Sequence, residues 1–422
     1  MQEKTETFPR DLQYYKFCLY GFLKNLKFFD PFIILFFREM GLSFLEIGIL
    51  YSIRETATTI LEIPTGIIAD SFGRRRSMIS AFLSYIVSFL IFYSFKNFPL
   101  YALAMIFFAF GEAFRTGTHK AMILEHLKIH NLLDSRVHYY GHTRSASQFG
   151  SAISSLIAAA LVFYAGSYRI IFIASVIPYI VDLILMITYP KELDGDIHAV
   201  PGSGALSRIL AQVNITLTEF TAIFKRWFSF QAILNSSLFD SLFKTVKDYL
   251  QPVLKHYALL LPLLITLENE KRASLIVGAV YFVLYLLTTL AARSSGHITG
   301  KLRSLPAAIN VSYLTGTALV LFSGLALLRQ YYILSISFFI LFYLVENIKK
   351  PMSVGYISEQ ISHRVMATGL SGESQMTTLF VALFSPLMGF LADHYGVSSG
   401  LITMAIIMIA LSPLVALRQR RG

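Results

Sequence analysis

The chain has little of several things. One cysteine, Cys18, in 422 residues excludes an intramolecular disulfide and any cysteine metal cluster. One tryptophan, Trp227, leaves tyrosine to form the aromatic belts at a membrane surface. Charged residues make up only 14% of the chain, against about 25% in soluble domains. No phosphate-cradling glycine loop, Walker pattern or nucleophile elbow occurs, so neither ATP-driven work nor catalysis by a known nucleophile motif is expected. The chain is read as a non-enzyme with no cofactor. It opens without a short apolar run and small-residue cleavage site, so the first helix is expected to act as its own insertion signal.

What is present is apolar sequence. Hydrophobic residues make up 55%, and runs of about 20 recur from end to end. This predicts an all-α integral membrane protein with twelve transmembrane helices. The expected spans are 13–38, 45–69, 77–96, 99–121, 142–165 and 168–190, then 231–256, 273–294, 305–328, 331–349, 370–392 and 397–417. The segment 191–230 holds "PKELDGDIHAVPGSG" and reads as a linker between a half at 1–190 and a half at 231–422. Within it "ILAQVNITLTEFTAIF" has the composition of an amphipathic helix on the inner leaflet. The net charge of +11 does not call for a nucleic acid. With both termini inside, "GRRR" (73–76), the 122–141 loop, the linker and "RQRR" all fall on the cytoplasmic side, as the positive-inside rule requires.

"PTGIIADSFGRRRS" closes the second span. Gly66 permits close helix packing, Gly73 a tight turn, and Asp70 accepts hydrogen bonds while Arg74 and Arg75 supply cations. In spacing and place these residues resemble the inner loop of the major facilitator superfamily. The resemblance implies a secondary transporter with two six-helix halves, in which this loop latches the halves together on the inner side. The halves also echo each other. "LKNLK" (23–27) answers "FKTVK" (243–247), and Pro31 answers Pro252. "EAFR" (112–115) answers "ENIK" (346–349), and Ser147-Gln148 answers Ser374-Gln375.

Charges inside spans cost about 2.5–3.5 kcal/mol each at the bilayer centre and must face water or partners. Lys24, Lys27, Lys244 and Lys247 lie mid-membrane, on helices that in the resembled family line a central cavity. Residues three apart share a helical face, so each pair is expected to point together. Two readings stand: the four lysines meet an anionic solute, with Tyr20, Phe29 and Tyr249 as aromatic walls, or Asp30, Asp248, Glu55 and Glu62 hold them as ion pairs. Pro31 and Pro252 are expected to let these helices bend. Tyr51, Arg54, Glu55, Thr58, Thr59, Glu62 and Gly66 form a polar stripe on the second span. It is read either as gating and proton-carrying groups, Arg54 at the outer gate and Glu62 as the proton site, or as packing between helices. Glu112 and Arg115 on the fourth span, with Glu346 and Lys349 as counterparts, are candidate coupling residues or plain ion pairs. Arg115 loosely resembles the arginine that the family's exporters carry in this span. Lone His119 argues for no metal.

These features together predict a proton-coupled secondary transporter of the inner membrane. It is expected to be monomeric, surrounded by lipid, and to carry a small organic anion. A proton-coupled multidrug exporter is the alternative. A non-transporting receptor or lipid-moving protein is the alternative of another class.

Overall fold

A computed structural model describes residues 9–195, 227–262, 265–293, 304–360 and 366–417. The side chains of a few helical residues, Asp70 among them, lie outside the description, as does the expected amphipathic helix at 209–224. Every regular element among the described residues is helical. In chain order they are α1 (Leu12–Leu23), α2 (Ile33–Glu39), α3 (Phe44–Phe72), α4 (Arg74–Ser94), α5 (Phe98–Arg115), α6 (Thr118–Ile129), α7 (Arg136–Ala165) and α8 (Ile170–Ile187). There follow α9 (Trp227–Val246), α10 (Leu250–Leu260), α11 (Asn269–Arg293), α12 (Leu305–Leu328), α13 (Tyr332–Gln360) and α14 (Met366–Val415). α14 contains one non-helical residue, Gly396, where the chain doubles back. Among the described residues, eight helical stretches are long and apolar enough to cross a membrane.

Burial follows the logic of a lipid solvent. On α8, Ile177, Ile180, Ile184 and Ile187 are exposed, while Ser175, Tyr179, Asp182 and Met186 are buried. The apolar stripe faces out and the polar residues face the bundle, the reverse of a soluble helix. Local signals set the helix ends. Ser43 and Glu46 form a reciprocal capping box that starts α3. Gly73 stops it with φ 95°, a conformation that costs a side-chain-bearing residue far more.

The helices before residue 195 pack mainly on one another, as do those after 227. The two groups meet where α3 runs against α14 and α7 against α11. One face of the molecule carries both described chain ends; we call it the terminal face and the other the distal face. The groups are in close contact toward the distal face. A side chain on Gly48 would collide with the backbone of Ser385, and one on Gly389 with that of Phe44, so the helices touch backbone to backbone there. Asp393 accepts hydrogen bonds from the backbone N–H groups of Phe44 and Leu45 at 2.9 and 2.8 Å. The Lys255 ammonium lies 5.3 Å from the Tyr168 ring centre. Among the described residues, the hydrogen bonds that join the two groups run from mid-span to the distal face. This conformer is closed distally.

Candidate functional site

The first transit breaks at the expected place, but more completely than a proline bend. α1 ends at Leu23, residues 24–32 form turns, and α2 begins at Ile33. The second copy breaks less: α9 runs through Lys244 to Val246, a 3-10 turn covers Lys247–Tyr249, and α10 follows. Backbone groups freed inside a membrane need partners, and side chains from neighbouring helices supply them. Tyr179 donates to the Lys24 carbonyl (3.3 Å), Gln251 to that of Asp30 (2.8 Å) and Tyr343 to that of Lys247 (3.0 Å). Asn25 donates in turn to the Ser147 carbonyl (2.7 Å).

The break alters the expected geometry of the lysines. Lys24 and Lys27 are not on one helical face, because the helix ends at Leu23, before both of them, and the three-residue rule applies only within a helix. Lys27 approaches Glu112 at 3.9 Å. Lys24 has no carboxylate within 4 Å among the described residues and lies 5.8 Å from the centre of the Tyr20 ring. In the second copy each lysine has an anion in contact. Lys247 Nζ is 2.7 Å from Asp248, which also accepts the Tyr51 hydroxyl at 3.0 Å. Lys244 Nζ is 2.7 Å from Glu55, whose other oxygen meets Arg54 at 3.0 Å. Arg54 in turn lies 4.9 Å over the Tyr51 ring.

Around Lys24 lies a cavity of about 500 Å³. Its lining includes Tyr20, Lys24, Arg115, His119, Lys120 and Arg144, and among the described residues no aspartate or glutamate. Tyr20 stacks on His119 with ring centres 3.6 Å apart. The cavity runs from mid-span toward the terminal ends of α1, α6 and α7. A second cavity of about 240 Å³ sits between the two groups of helices, lined by Asp30, Gln148, Lys247, Asp248, Tyr281 and Tyr285 among others.

Glu112 is held by Arg115 at 2.6 Å and by the Tyr85 hydroxyl at 2.6 Å. Its counterpart differs. Glu346 is buried with one carboxylate oxygen unpartnered among the described residues. Lys349 bonds Ser353 (3.3 Å) and lies 4.7 Å over the Phe239 ring, while Lys350 pairs with Asp240 at 3.2 Å. Phe29 packs among Phe89, Phe108 and Phe172 inside its own group of helices, whereas Tyr249 packs across the groups against Phe44; neither lines a cavity described above, because both side chains are buried against these rings. The α3 stripe faces protein: Tyr51, Glu55 and Thr59 bond to Asp248, Lys244 and Thr378. Glu62 is half-buried and has no ion pair among the described residues.

At the loop after α3, Arg75 meets Asp194 through its backbone N–H (2.7 Å) and its guanidinium (3.9 Å), and Arg74 meets Glu125 at 3.5 Å. A side chain on Gly73 would press on Asp194. These described partners all lie in the first group of helices. Among the described residues, none lies within 4 Å of where a side chain on Gly66 would begin.

Sequence reasoning passed over Asp182 on α8. It is fully buried, and neither carboxylate oxygen has a hydrogen-bond partner among the described residues. Its only sequence signal is an acid in a strongly apolar run, "IVDLIL". Lys120 and Arg144 sit at the inner ends of their expected spans, where a base is ordinary by the positive-inside rule and carries no signal of a site.

A family model described as Major Facilitator Superfamily matches residues 18–376. A Bacillus subtilis (strain 168) protein described as the uncharacterized MFS-type transporter YxaM is 31% identical over 90 residues, 21% of this chain and 23% of that protein. Among solved structures, the nucleoside transporter NupG superposes with TM-score 0.70 at 13% identity, covering 96% of this chain and 95% of that one. A POT family transporter in complex with a thioalcohol-conjugated peptide superposes with TM-score 0.65 at 16% identity, covering 95% and 93%.

Proposed function

The chain belongs to the Major Facilitator Superfamily, and on that premise we propose that it is a secondary active transporter of a small organic anion. The halves would be 1–190 and 231–422, six spans each, joined by the linker 191–230. The terminal face would be cytoplasmic and the membrane the inner (plasma) membrane. In this reading the described conformer faces inward: shut distally, with the Lys24 cavity reached from the cytoplasm. Alternating access would rock the halves about that site.

The observation that carries the anion is the cavity wall. Lys24, Arg115, Lys120 and Arg144 line about 500 Å³ together with no carboxylate among the described residues. A concave, low-dielectric site with one sign of charge concentrates ions of the other sign. Lys24 has its ammonium free of any carboxylate within 4 Å among the described residues, so an anion there has a charge to meet without first breaking an ion pair. Protons are the proposed driving ion, supported by two buried carboxylates with unpartnered oxygens, Asp182 and Glu346. Phe29 and Tyr249 are not proposed as walls; Tyr20 is.

Proteoliposome uptake driven by an imposed proton gradient tests the transport. A melting-shift panel of carboxylates and lipophilic cations tests the substrate class, because binding raises apparent stability. Stabilisation by cations and not by anions would replace this reading with multidrug export. No flux of any panel member would favour the receptor or lipid-moving alternative.

A further inference from the structure

On the terminal face, away from the Lys24 cavity, three potential metal ligands converge: Asp11, His126 and His130. We propose that they form a divalent transition-metal site, best suited to Zn²⁺. The inference is independent of the transport reading.

Asp11 is the residue before α1, and its two oxygens are divided in role. Oδ1 caps α1 by accepting from the Tyr14 backbone N–H at 2.7 Å. Oδ2 is left facing His126 Nε2 at 3.3 Å. His126 and His130 are four residues apart on α6 and its C-terminal cap, so they stack along one helical face. Their ring centres are 4.3 Å apart. The three ligand atoms all lie within 4.8 Å of one another.

Two features fit coordination better than a plain histidine–aspartate contact. Two ligands about 2.0–2.1 Å from one tetrahedral ion stand roughly 3.3–3.4 Å apart, which matches the Oδ2–Nε2 separation. His130 Nδ1 lies 2.9 Å from the His126 carbonyl oxygen. That bond makes Nδ1 the protonated nitrogen and leaves Nε2 as a lone-pair donor, the outer-shell arrangement that usually orients a metal-bound histidine. His126 is buried and fixed between Phe17 and Tyr139. The group borders a cavity of about 480 Å³ that Lys16 and Glu192 also line, which leaves room for water or a further oxygen ligand. Two imidazoles and one carboxylate favour Zn²⁺ and its transition-metal neighbours over Mg²⁺ and Ca²⁺, which require oxygen sets. The expectation of no metal rests on His119 alone; the pair at i and i+4 lies about two and three turns farther along the same helix.

The test uses the full-length chain in detergent with its purification tag removed. Calorimetric titration with Zn²⁺ alone should give one ion per chain, and Co²⁺ alone should develop a visible absorption band of low-symmetry coordination. His130→Ala and Asp11→Asn should each weaken binding at least about tenfold and abolish the Co²⁺ band, while exposed His138→Ala leaves both unchanged. His130 is exposed, so its alanine variant should melt like the parent without metal; should it misfold, Asp11→Asn decides alone. No binding to the parent chain overturns the proposal. So does equal binding by His130→Ala and Asp11→Asn, or competition by Mg²⁺ at equal concentration.

Discussion

The two Lys-x-x-Lys segments share a sequence pattern and a place in the fold, yet they differ in what they do with charge. At the second, Lys244 and Lys247 each touch a carboxylate at 2.7 Å. At the first, Lys27 reaches Glu112 only at 3.9 Å, and that acid is already held by Arg115 and Tyr85. Lys24 has no carboxylate within reach among the described residues. Duplication sets where a helix breaks; the neighbours decide whether the charges there are spent inside the protein or left for a ligand. In the proposed transporter the first copy meets solute and the second couples the halves, since Glu55 and Tyr51 come from α3 while Lys244 and Asp248 come from the far half.

Removing the free charge should have the largest effect. Lys24→Met is expected to weaken carboxylate binding at least about tenfold, ~1.4 kcal/mol, read from ligand-dependent melting shifts, whereas Lys247→Met should change that affinity by less than about threefold. Equal losses from the two variants would erase the distinction. Next comes stability. Asp248→Leu strips the partner from both Lys247 and Tyr51 and should cost about 1–3 kcal/mol, seen as a lower ligand-free melting temperature. Asp182→Leu removes a buried carboxylate that has no hydrogen bond among the described residues, so it should leave the melting temperature unchanged or raise it; a drop like that of Asp248→Leu would show that Asp182 has a structural partner. The smallest effect expected is of salt. The Lys24 cavity is open to water, so raising ionic strength from about 0.01 to 0.15 M, which shortens the screening length from roughly 30 to 8 Å, should weaken anion binding a few-fold and leave the melting temperature of the free protein nearly unchanged.

The sequence made the helical membrane architecture legible, and the echo of "LKNLK" by "FKTVK" located both helix breaks. Less of the site could be read. The three-residue rule assumed a helix through Lys27, and the chain leaves helix at Leu23. Asp30 looked like the natural partner of Lys27 by proximity, but the nearest carboxylate comes from α5, a relation fixed by packing between elements 85 residues apart. Glu55 was named among possible partners, yet only the approach of α3 to α9 selects Lys244 for it. Asp182 is a single acid in an apolar run, and nothing along the chain says what it faces. His126 and His130 have metal-ligand spacing, but the carboxylate that completes the set lies at the other end of the first half.

Asp393 holds the first free N–H groups of α3 from across the molecule, with Arg38 4.0 Å away. A carboxylate at a helix N-terminus also meets the positive end of its dipole. This pairing joins the two groups of helices at the distal face, and in the proposed alternating-access cycle it would be lost when that face opens. Its free energy therefore belongs to one conformer and not the other, and each ~1.4 kcal/mol of such a difference shifts the ratio of the two conformers tenfold. In the proposed transporter, one side chain near a turn, far from any solute, would thus bias how the molecule divides its time between the two sides of the membrane.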